Sequence, residues 1–549
     1  MRRRVFWIGF IYLASGMGGS VPLPVGSPSK RAAAAAEVKR DLAGETAKTE
    51  PWIASARELR EKFWKDPHRP RYHLQPPAAW MNDPNGAVFW KGRYHLFYQH
   101  NPEGGYWKWM QWGHASSADL VHWVHHPIAL TPTAGGPDRD GCFSGGAVVH
   151  DNVPTFIYHG VPDGTCIATS TDDELIHWKK HPDNPVISNK KIRGDFSPYD
   201  PCAWKQGDTW YALCGWGRAH GPSAPPGDIA YLFKSPDLVH WLYLHPFYAA
   251  DRRWTDEGED CAVPDLFPLG PKHMLLFASH KRGGQYYLGR YEGEKFIPER
   301  HGRLNFPGGQ TIAPISMLDG KGRRICFVWL KEARPDDVCR AAGWAGVMTL
   351  PRIFTLAEDG SLAVEPAPEL DVLRYNLRER KDLTLSADAE LPLNEVRGDS
   401  LEIDLDIAPQ QARECGVKVR VSPDGTEQTA VVYDAKAKLL KIELSKSTLD
   451  PAIKYTYLPF GGAFVPKDSP EGSRTVDHQA GPLELRPGET LRLRVFVDRS
   501  VLEVFANGRQ CLAQRIYPTR SDSLNVALLA RGGSAKVVSA RAWNMYPAQ

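Results

Sequence analysis

Apolar and polar residues alternate in short runs along most of this chain, and glycine or proline interrupts the runs at close intervals. The 549 residues include 49 glycines and 45 prolines, and sustained helical heptads are hard to find. Alternation with a period of two residues, bounded by turn-forming residues, is typical of β-strands. The pattern therefore predicts an all-β protein rich in turns.

One short segment recurs three times in the first half of the chain. It reads SADLVHW at residues 117–123, STDDELIHW at 170–178 and SPDLVHW at 235–241, and its tryptophans are 55 and 63 residues apart. Repeats of this length are typical of the blades of a β-propeller. We interpret each copy as a turn and strand start that packs between blades, with no chemistry in its histidine. Further strand-rich units bring the count to about five blades between residues 72 and 364.

The pattern changes near residues 365–374. After this point aromatic residues are sparse, and strictly alternating runs follow, such as DSLEIDLDIA and LRLRVFVDRSVLEVFANG. Such runs with short polar turns predict a sandwich of antiparallel strands. The sequence thus predicts a five-bladed β-propeller over residues 66–365 and a C-terminal β-sandwich over residues 372–549.

The N-terminal segment has a composition unlike the rest. It begins with three arginines, continues with an apolar run from Val5 to about Met17, and ends in small residues. This order is typical of a secretory signal peptide, here residues 1–26, and an uncleaved anchor is the alternative. Residues 27–65 are predicted to be a linker or short helix. The mature protein is expected to be secreted or periplasmic, with no membrane association after cleavage.

Charge and cysteine content exclude several classes of function. The chain has 67 basic and 64 acidic residues, a net charge of +3, and no long run of either sign. We therefore expect no nucleic-acid partner and favour a neutral substrate. The nine cysteines show no CxxC spacing, and their odd number argues against a disulfide framework or a zinc site. Most are expected to be small buried residues.

Three acidic segments are candidates for chemistry. Asp83 lies in WMNDPNG, where Asp-Pro-Asn-Gly predicts a turn and Pro84 favours an extended Asp83. Asp200 lies in FSPYDPCAW, and Glu259 and Asp260 lie in DEGEDCAVPD. Each alone is more often a turn residue or a solvated acid. Because they come from different blades, they are predicted to converge at the central funnel of the propeller.

Several motifs together resemble glycoside hydrolase family 32, the invertase, fructanase and levanase family. They are WMNDPNG, YQHNP, WGHASSADLVHW, FSG at residues 143–145, GWAGVMTLPR and FVDRSVLEVFANG, and the resemblance covers about residues 70–520. It implies a propeller followed by a sandwich, and retaining hydrolysis of β-fructofuranosidic bonds in sucrose or fructans. The alternatives are a non-catalytic sugar-binding propeller and a furanosidase of shifted specificity. The expected partner is a carbohydrate substrate. No metal or other cofactor is expected, because two carboxylates supply the nucleophile and the proton.

Carried over position by position, the resemblance implies that Asp83 is the nucleophile. Asp200 matches the aspartate of the family's Arg-Asp-Pro motif, which would stabilise the transition state. Tyr199 stands where the family has arginine, and a phenol cannot replace the bidentate guanidinium. Arg193 is a candidate to compensate for that loss.

The acid/base residue is harder to place, because the family's Glu-Cys-Pro-Asp is replaced here by EDCAVPD. Alignment on Cys261 puts Asp260 at the glutamate's position with Glu259 beside it. Alignment on the Pro-Asp pair puts Ala262 there, and alanine cannot transfer a proton. We favour Glu259, because its side chain is longer and its reference pKa is higher, with Asp260 as the alternative.

The resemblance also implies the residues that bind the sugar. Asn82 and Gln99 would contact fructosyl hydroxyls, and Ser144 would add a polar contact. Trp80, Trp107 and Phe143 would form apolar walls. For Trp107 and the other tryptophans of YWKWMQW, packing within the blades is an equal alternative. In the predicted sandwich, Asp498, Arg499 and Ser500 are expected to be structural and Glu503 to serve the interface between domains.

Overall fold

The structure is a computed structural model and describes residues 51–189, 197–217, 228–248, 253–461 and 470–548. The chain divides into two compact units, Met1–Lys65 and Asp66–Gln549. The described part of the first unit is helix α1 (Pro51–Lys65), which is rich in good helix formers and has Lys62 and Lys65 in its last turn. The predicted signal peptide and Arg193 lie outside the described residues. Among the helices that the structure describes, none is long and apolar enough to cross a membrane.

The described residues between 79 and 366 form five sheets, each of four or five strands. The first blade contains β1 (Ala79–Trp90), β2 (Arg93–Asn101), β3 (Gln111–Ser117) and β4 (Trp123–Leu130). The second contains β5 (Gly141–His150), β6 (Val153–Val161), β7 (Gly164–Ser170), β8 (Trp178–Lys180) and β9 (Ile187–Ser188). The third contains β10 (Ser197–Gln206), β11 (Thr209–Gly217), β12 (Tyr231–Ser235) and β13 (Leu242–Pro246). In each, the first four strands pair antiparallel in chain order, which is the blade pattern of a propeller, and β9 pairs with β7.

The last two blades follow the same pattern. The fourth contains β14 (Ala262–Leu269), β15 (Lys272–Ser279), β16 (Gly283–Glu292) and β17 (Lys295–Arg303). The fifth begins with β18 (Thr311–Leu318) and β19 (Arg324–Leu330), which are followed by helix α2 (Asp336–Ala342) and β20 (Trp344–Ala345). It ends with β21 (Val347–Met348), β22 (Arg352–Leu356) and β23 (Leu362–Pro366). Strand β20, from the fifth-blade segment, pairs in parallel with β1 and so covers an edge of the first blade.

The repeated segment is the turn between the third and fourth strands of the first three blades. In the first copy the Asp119 carboxylate accepts hydrogen bonds from the backbone N–H of Val121 and His122, and Trp123 donates its indole N–H to the Leu120 carbonyl. The same bonds recur in the other two copies, around Asp172 and Asp237. The interpretation as a structural turn is confirmed.

The WMNDPNG segment is not the turn that its residues predict. It lies inside β1, and the pairing with β2 slips at two bulges, between Met81 and Pro84 and between Asn85 and Val88. Bulges accommodate the proline and the positive φ of Gly86 (+52°) without reversing the chain. A side chain at Gly86 would come within about 3 Å of three buried aromatic rings, so only glycine fits there.

The C-terminal part is a sandwich of two six-stranded sheets, preceded by a 3₁₀ helix (Pro368–Leu373). One sheet has the order β24 (Arg374–Leu385), β35 (Ala535–Met545), β26 (Ser400–Ala408), β31 (Leu491–Asp498), β32 (Val501–Ala506) and β33 (Gln510–Arg515). The other has the order β25 (Ala389–Arg397), β34 (Asn525–Arg531), β27 (Glu414–Val421), β28 (Thr429–Asp434), β29 (Leu439–Glu443) and β30 (His478–Pro482). The alternating apolar residues of β26, such as Ile403 and Leu405, are fully buried in the core between the sheets.

Buried charged residues join the propeller to the sandwich. Glu503, on β32, accepts hydrogen bonds from the Arg352 guanidinium at 2.8 Å and the Leu350 N–H at 2.7 Å. Asp498, on β31, accepts from His73 Nδ1 at 2.8 Å. The predicted interface role of Glu503 is confirmed. All nine cysteines lie within the described residues, and each is buried and unpaired.

Candidate active site

The innermost strands of the five blades surround a cavity of about 700 Å³. Its wall includes Asp83 from the first blade, Asp200 from the third and Asp260 from the segment before β14 of the fourth. The predicted convergence of acids from three blades is therefore what the structure contains. The sandwich contributes as well, because Phe460, from the connection between β29 and β30, lines the same cavity.

Equivalent bulges in the third and fourth blades show how the two segments that differ from the family motifs, around Asp200 and around Asp260, correspond to each other. The pairing slips between Tyr199 and Cys202 in β10 and between Ala262 and Asp265 in β14. The residues before the two prolines, Asp200 and Val263, have similar positive φ values of 43° and 46°. Tyr199 and Ala262 therefore occupy corresponding positions, and the alignment on Pro-Asp is the one that the strand register supports.

Asp83 is held by side chains from two blades. Its Oδ1 accepts a hydrogen bond from Asn82 Nδ2 at 3.0 Å, and its Oδ2 accepts from Ser144 Oγ at 2.7 Å and from Gln99 Nε2 at 3.4 Å. Asn82 is fixed in turn by the indole N–H of Trp80, 2.6 Å from its Oδ1. These bonds set the orientation of the carboxylate before any substrate arrives.

The predicted binding residues divide into two groups. Trp80, Asn82, Gln99, Trp107 and Phe143 all line the cavity. Ser144 does not, because it is fully buried behind Asp83. Its hydroxyl is engaged by the carboxylate and by Gln99 Nε2, at 2.5 Å. The expectation of a direct sugar contact by Ser144 is replaced by a contact with Asp83.

Asp200 is a nearly buried carboxyl group of the cavity wall. It is 4% exposed. Burial raises its pKa to about 8, and the neighbouring Asp83 charge acts in the same direction. Beside it, burial raises the pKa of the Tyr199 phenol as well. The Tyr199 ring packs against His159, with ring centroids 4.4 Å apart, and edge-on against Phe143 at 6.3 Å.

Glu259, which the sequence favoured as the acid, does not line the cavity. It is 1% exposed, and its carboxylate is bound by the Arg303 guanidinium at 2.8 Å, by Gln285 Nε2 at 2.7 Å and by the Asp256 N–H at 2.8 Å. Glu259 closes a turn, because its backbone N–H bonds to the Asp256 carbonyl at 3.2 Å, and the contacts of its carboxylate hold the side chain away from the cavity. The structure places Asp260 there in its stead.

Both carboxylate oxygens of Asp260 are bound by one residue. His280, just after β15, donates its backbone N–H to Oδ1 at 2.8 Å and its ring Nδ1–H to Oδ2 at 2.6 Å. Burial alone would lower the pKa of His280, but the Asp260 charge outweighs burial and raises it to about 9. The pair lines the cavity, with 34% of the His280 side chain exposed.

Two family models account for nearly all of the second unit. The model for the N-terminal domain of the family 32 glycosyl hydrolases matches residues 73–366, and the model for the C-terminal domain matches residues 369–544. The chain belongs to glycosyl hydrolase family 32. It is a glycoside hydrolase with the propeller and sandwich of that family.

Named relatives of this family 32 hydrolase act on sucrose derivatives and fructans. A sucrose-6-phosphate hydrolase of Zymomonas mobilis is 30% identical over 87% of this chain and 92% of its own length. A levanase of Bacillus subtilis is 30% identical over 88% of this chain and 71% of its own length. The crystal structure of fructan 1-exohydrolase IIa from Cichorium intybus has a TM-score of 0.76, with 25% identity, and the match covers 88% of this chain and 98% of that one.

Several cavity residues of this family 32 hydrolase were not predicted from its sequence. His280, Trp329, Lys331 and Phe460 line the cavity, and none belongs to a motif that we used. The register of the β14–β15 hairpin could have revealed His280. Ala262 pairs with Ala278 in that hairpin, so residue 280 lies opposite residue 260. Within the described ranges, no group of three or more histidine, cysteine, aspartate or glutamate side chains is arranged to hold a metal ion.

Proposed function

We propose that this protein hydrolyses β-fructofuranosidic bonds in sucrose and fructans with retention of configuration. The observation that carries the proposal is the Asp83 carboxylate, held by three side-chain donors in a cavity that also contains Asp200 and the Asp260–His280 pair. The activities named for the relatives, on sucrose 6-phosphate, levan and fructan, support the same substrate class.

In this proposal Asp83 attacks the anomeric carbon of a fructosyl unit and forms a covalent fructosyl-enzyme. The leaving oxygen receives a proton from the Asp260–His280 pair. Water then attacks the anomeric carbon, the same pair removes a proton from that water, and fructose is released. Asp200 contacts the sugar hydroxyls and stabilises the positive charge of the transition state. Two inversions at the anomeric carbon give net retention.

The test is fructose release from sucrose, 1-kestose, inulin and levan by the purified protein. Asp83→Asn should abolish release, because an amide is a poor nucleophile. Asp173→Asn is the matched control, since Asp173 is 65% exposed and lies outside the cavity. Nuclear magnetic resonance of the first product formed should show the β-anomer of fructose. Turnover that survives Asp83→Asn, or α-fructose as the first product, would refute the proposal.

Tyr199 in place of the family's arginine favours one alternative, a hydrolase of another furanoside. A neutral phenol against Phe143 and His159 presents a less polar wall than a guanidinium would. A panel of aryl furanosides separates the two proposals. Higher kcat/KM on an arabinofuranoside or xyloside than on sucrose and fructans would favour the alternative, whereas selective release of fructose supports the first proposal.

We also propose that the protein is exported, which would bring it into contact with polymeric fructans outside the cell. The arginines, apolar run and small residues of positions 1–26 support it. Fractionation of bacteria that express the full chain should place the activity in the periplasm or medium, with a new N-terminus near residue 27. Cytoplasmic activity with an uncleaved N-terminus would contradict export. Association with the membrane fraction would favour an anchor.

A further inference from the structure

The position that holds the family's acidic glutamate carries only a methyl group in this chain. Ala262 occupies it in the alignment on Pro-Asp, which the matching bulges of β10 and β14 support, and its pairing partner on β15 is Ala278. Both alanines line the cavity. The proposed reaction still requires a proton for the leaving oxygen, so another residue of the wall has to supply it.

Most other ionisable groups of the wall are poorly suited to that task. Asp83 is the proposed nucleophile and must be unprotonated. Both oxygens of Asp260 accept hydrogen bonds from His280, so in this arrangement neither oxygen has a proton to give. Burial lowers the pKa of Lys331, but its ammonium donates to the Glu332 carbonyl at 3.1 Å and lies 5.6 Å from the Phe460 ring centroid, on the fifth blade rather than beside Ala262. Asp200 lies on the third blade rather than on the fourth, where Ala262 stands, and only 4% of it is exposed.

His280 combines a proton, a fixed orientation and access to the cavity. A carboxylate can only accept, so the proton between His280 Nδ1 and Asp260 Oδ2 is carried by the ring. This bond turns the opposite ring nitrogen, Nε2, away from Asp260. A second contact limits the position of the ring, since its centroid is 5.9 Å from that of Phe460. The side chain lies directly beyond the Ala262–Ala278 pair.

We infer that His280 is the acid/base catalytic residue of this hydrolase and that Asp260 is the residue that positions it. The inference rests on the proposed function, whose nucleophile it leaves unchanged.

The atoms and charges of both half-reactions balance with His280 in this role. In the first, an Asp83 oxygen bonds to the anomeric carbon and the glycosidic C–O bond breaks. The leaving oxygen keeps the bonding electrons and takes the Nε2 proton, which leaves a neutral imidazole. In the second, water bonds to the anomeric carbon and the ester bond to Asp83 breaks. Nε2 takes the water proton, so the imidazolium and the Asp83 carboxylate are both restored.

The surrounding charges support this cycle. Burial lowers the pKa of His280, and the Asp260 charge, with smaller contributions from Asp83 and from Asp200 when it is ionised, raises it to about 9, so the resting enzyme holds the proton at neutral pH. Among the described residues of the wall, Lys331 of the fifth blade carries a further positive charge. In the covalent intermediate Asp83 is an uncharged ester, and the loss of its charge lowers the pKa of His280. The residue is thus a better base in the step that needs one.

The test compares two substrates that differ in their need for a proton. The sucrose leaving group departs as an alcohol, whereas the fluoride of β-fructofuranosyl fluoride departs without protonation. His280→Gln should lower kcat/KM on sucrose by about 10²–10⁴-fold and on the fluoride by about tenfold or less. Azide should restore turnover of the variant with fructosyl fluoride and give β-fructosyl azide, because azide attacks the intermediate without a general base.

The controls separate a chemical role from a structural one. His240→Gln removes a histidine bound to Asp237 through the same Nδ1 contact, at 2.7 Å, on an exposed turn, and it should change neither rate. His280→Ala provides a second variant, with circular dichroism to confirm the fold. In Asp260→Asn the fall of kcat/KM on sucrose at high pH should shift from about pH 9 to lower pH, because His280 loses its paired charge.

Two outcomes would overturn the assignment of His280. One is an equal loss on both substrates in His280→Gln, which indicates a structural role. The other is the selective loss and azide rescue in Asp260→Asn alone, which makes Asp260 the acid. If the wild-type protein turns over neither sucrose, fructan nor fructosyl fluoride, the proposed function fails and this inference fails with it. A selective loss in His280→Gln, with azide rescue, supports both.

Discussion

Replacement of Glu503 by glutamine should destabilise the protein strongly, although the two side chains have the same shape. The Glu503 carboxylate and the Arg352 guanidinium are both fully buried, 2.8 Å apart, where β32 of the sandwich meets β22 of the propeller. Among the described residues, the Nε and Nη1 atoms of Arg352 have no hydrogen-bond partner. The carboxylate is therefore the main compensation for a buried positive charge.

The size of the effect follows from that uncompensated charge. Removal of one partner of a buried ion pair costs about 3–5 kcal/mol. This corresponds to roughly two to four orders of magnitude in the ratio of folded to unfolded protein. With a denaturant slope of about 3 kcal/mol per molar urea, the unfolding midpoint should fall by about 1–1.7 M. The Leu350 N–H keeps an acceptor, because the glutamine carbonyl can replace the carboxylate oxygen.

Urea unfolding followed by tryptophan fluorescence at pH 7 measures this midpoint. Glu484→Gln is the matched control in the same domain, because its partner Lys438 and Glu484 itself are more than half exposed, and it should cost less than about 1 kcal/mol. Adding Arg352→Met to Glu503→Gln should recover part of the loss by removing the unpaired charge. If Glu503→Gln shifts the midpoint no more than Glu484→Gln does, the buried pair is not what stabilises the interface.

Three further predictions concern single residues. The carboxylates of Asp498 and Glu503 outweigh burial and raise the pKa of His73. The stability that protonated His73 contributes should therefore be complete below about pH 6.5 and lost as the pH rises through its folded-state pKa. The urea midpoints of the wild type and His73→Gln should converge as the pH rises. Ser144→Ala removes a 2.7 Å hydrogen bond to Asp83, worth about 1.5–3 kcal/mol, so kcat on sucrose should fall about tenfold or more with little change in KM. Trp107 lines the cavity and is 56% exposed, with its ring centroid 5.9 Å from that of Phe143. Trp107→Ala should raise KM for inulin about twofold to tenfold and leave the urea midpoint of unfolding unchanged.

Local patterns predicted the architecture because strand alternation and turn chemistry are local properties. The Asp-Leu-x-His-Trp copies form their own hydrogen bonds within a few residues, so their structure follows from their sequence. The Asp-Pro-Asn-Gly segment shows the limit of this reasoning. Its turn preference yields to pairing with β2, which absorbs the irregular residues in two bulges.

The choice between Glu259 and Asp260 depended on which side chain points into the cavity. Side-chain length and reference pKa carry no information about that orientation. Arg303 and Gln285 hold the Glu259 carboxylate away from the funnel, whereas Asp260 pairs with His280 on the cavity wall. Arg303, which binds Glu259, lies 44 residues away in sequence, and His280, which binds Asp260, lies 20 residues away. Neither partner could be identified before the strands of the fourth blade were paired.

The two departures from the family motifs balance each other in charge. Tyr199 removes a cation from the cavity and Ala262 removes a carboxylate. The Asp260–His280 pair restores one charge of each sign on the fourth blade. Had the arginine alone been lost, the buried carboxyl groups would share one cation fewer, and the pKa of Asp200, already raised to about 8, would rise further. A cavity that keeps three carboxyl groups and one paired cation retains the kinds of group that a retaining mechanism uses, although the residues that provide them have moved.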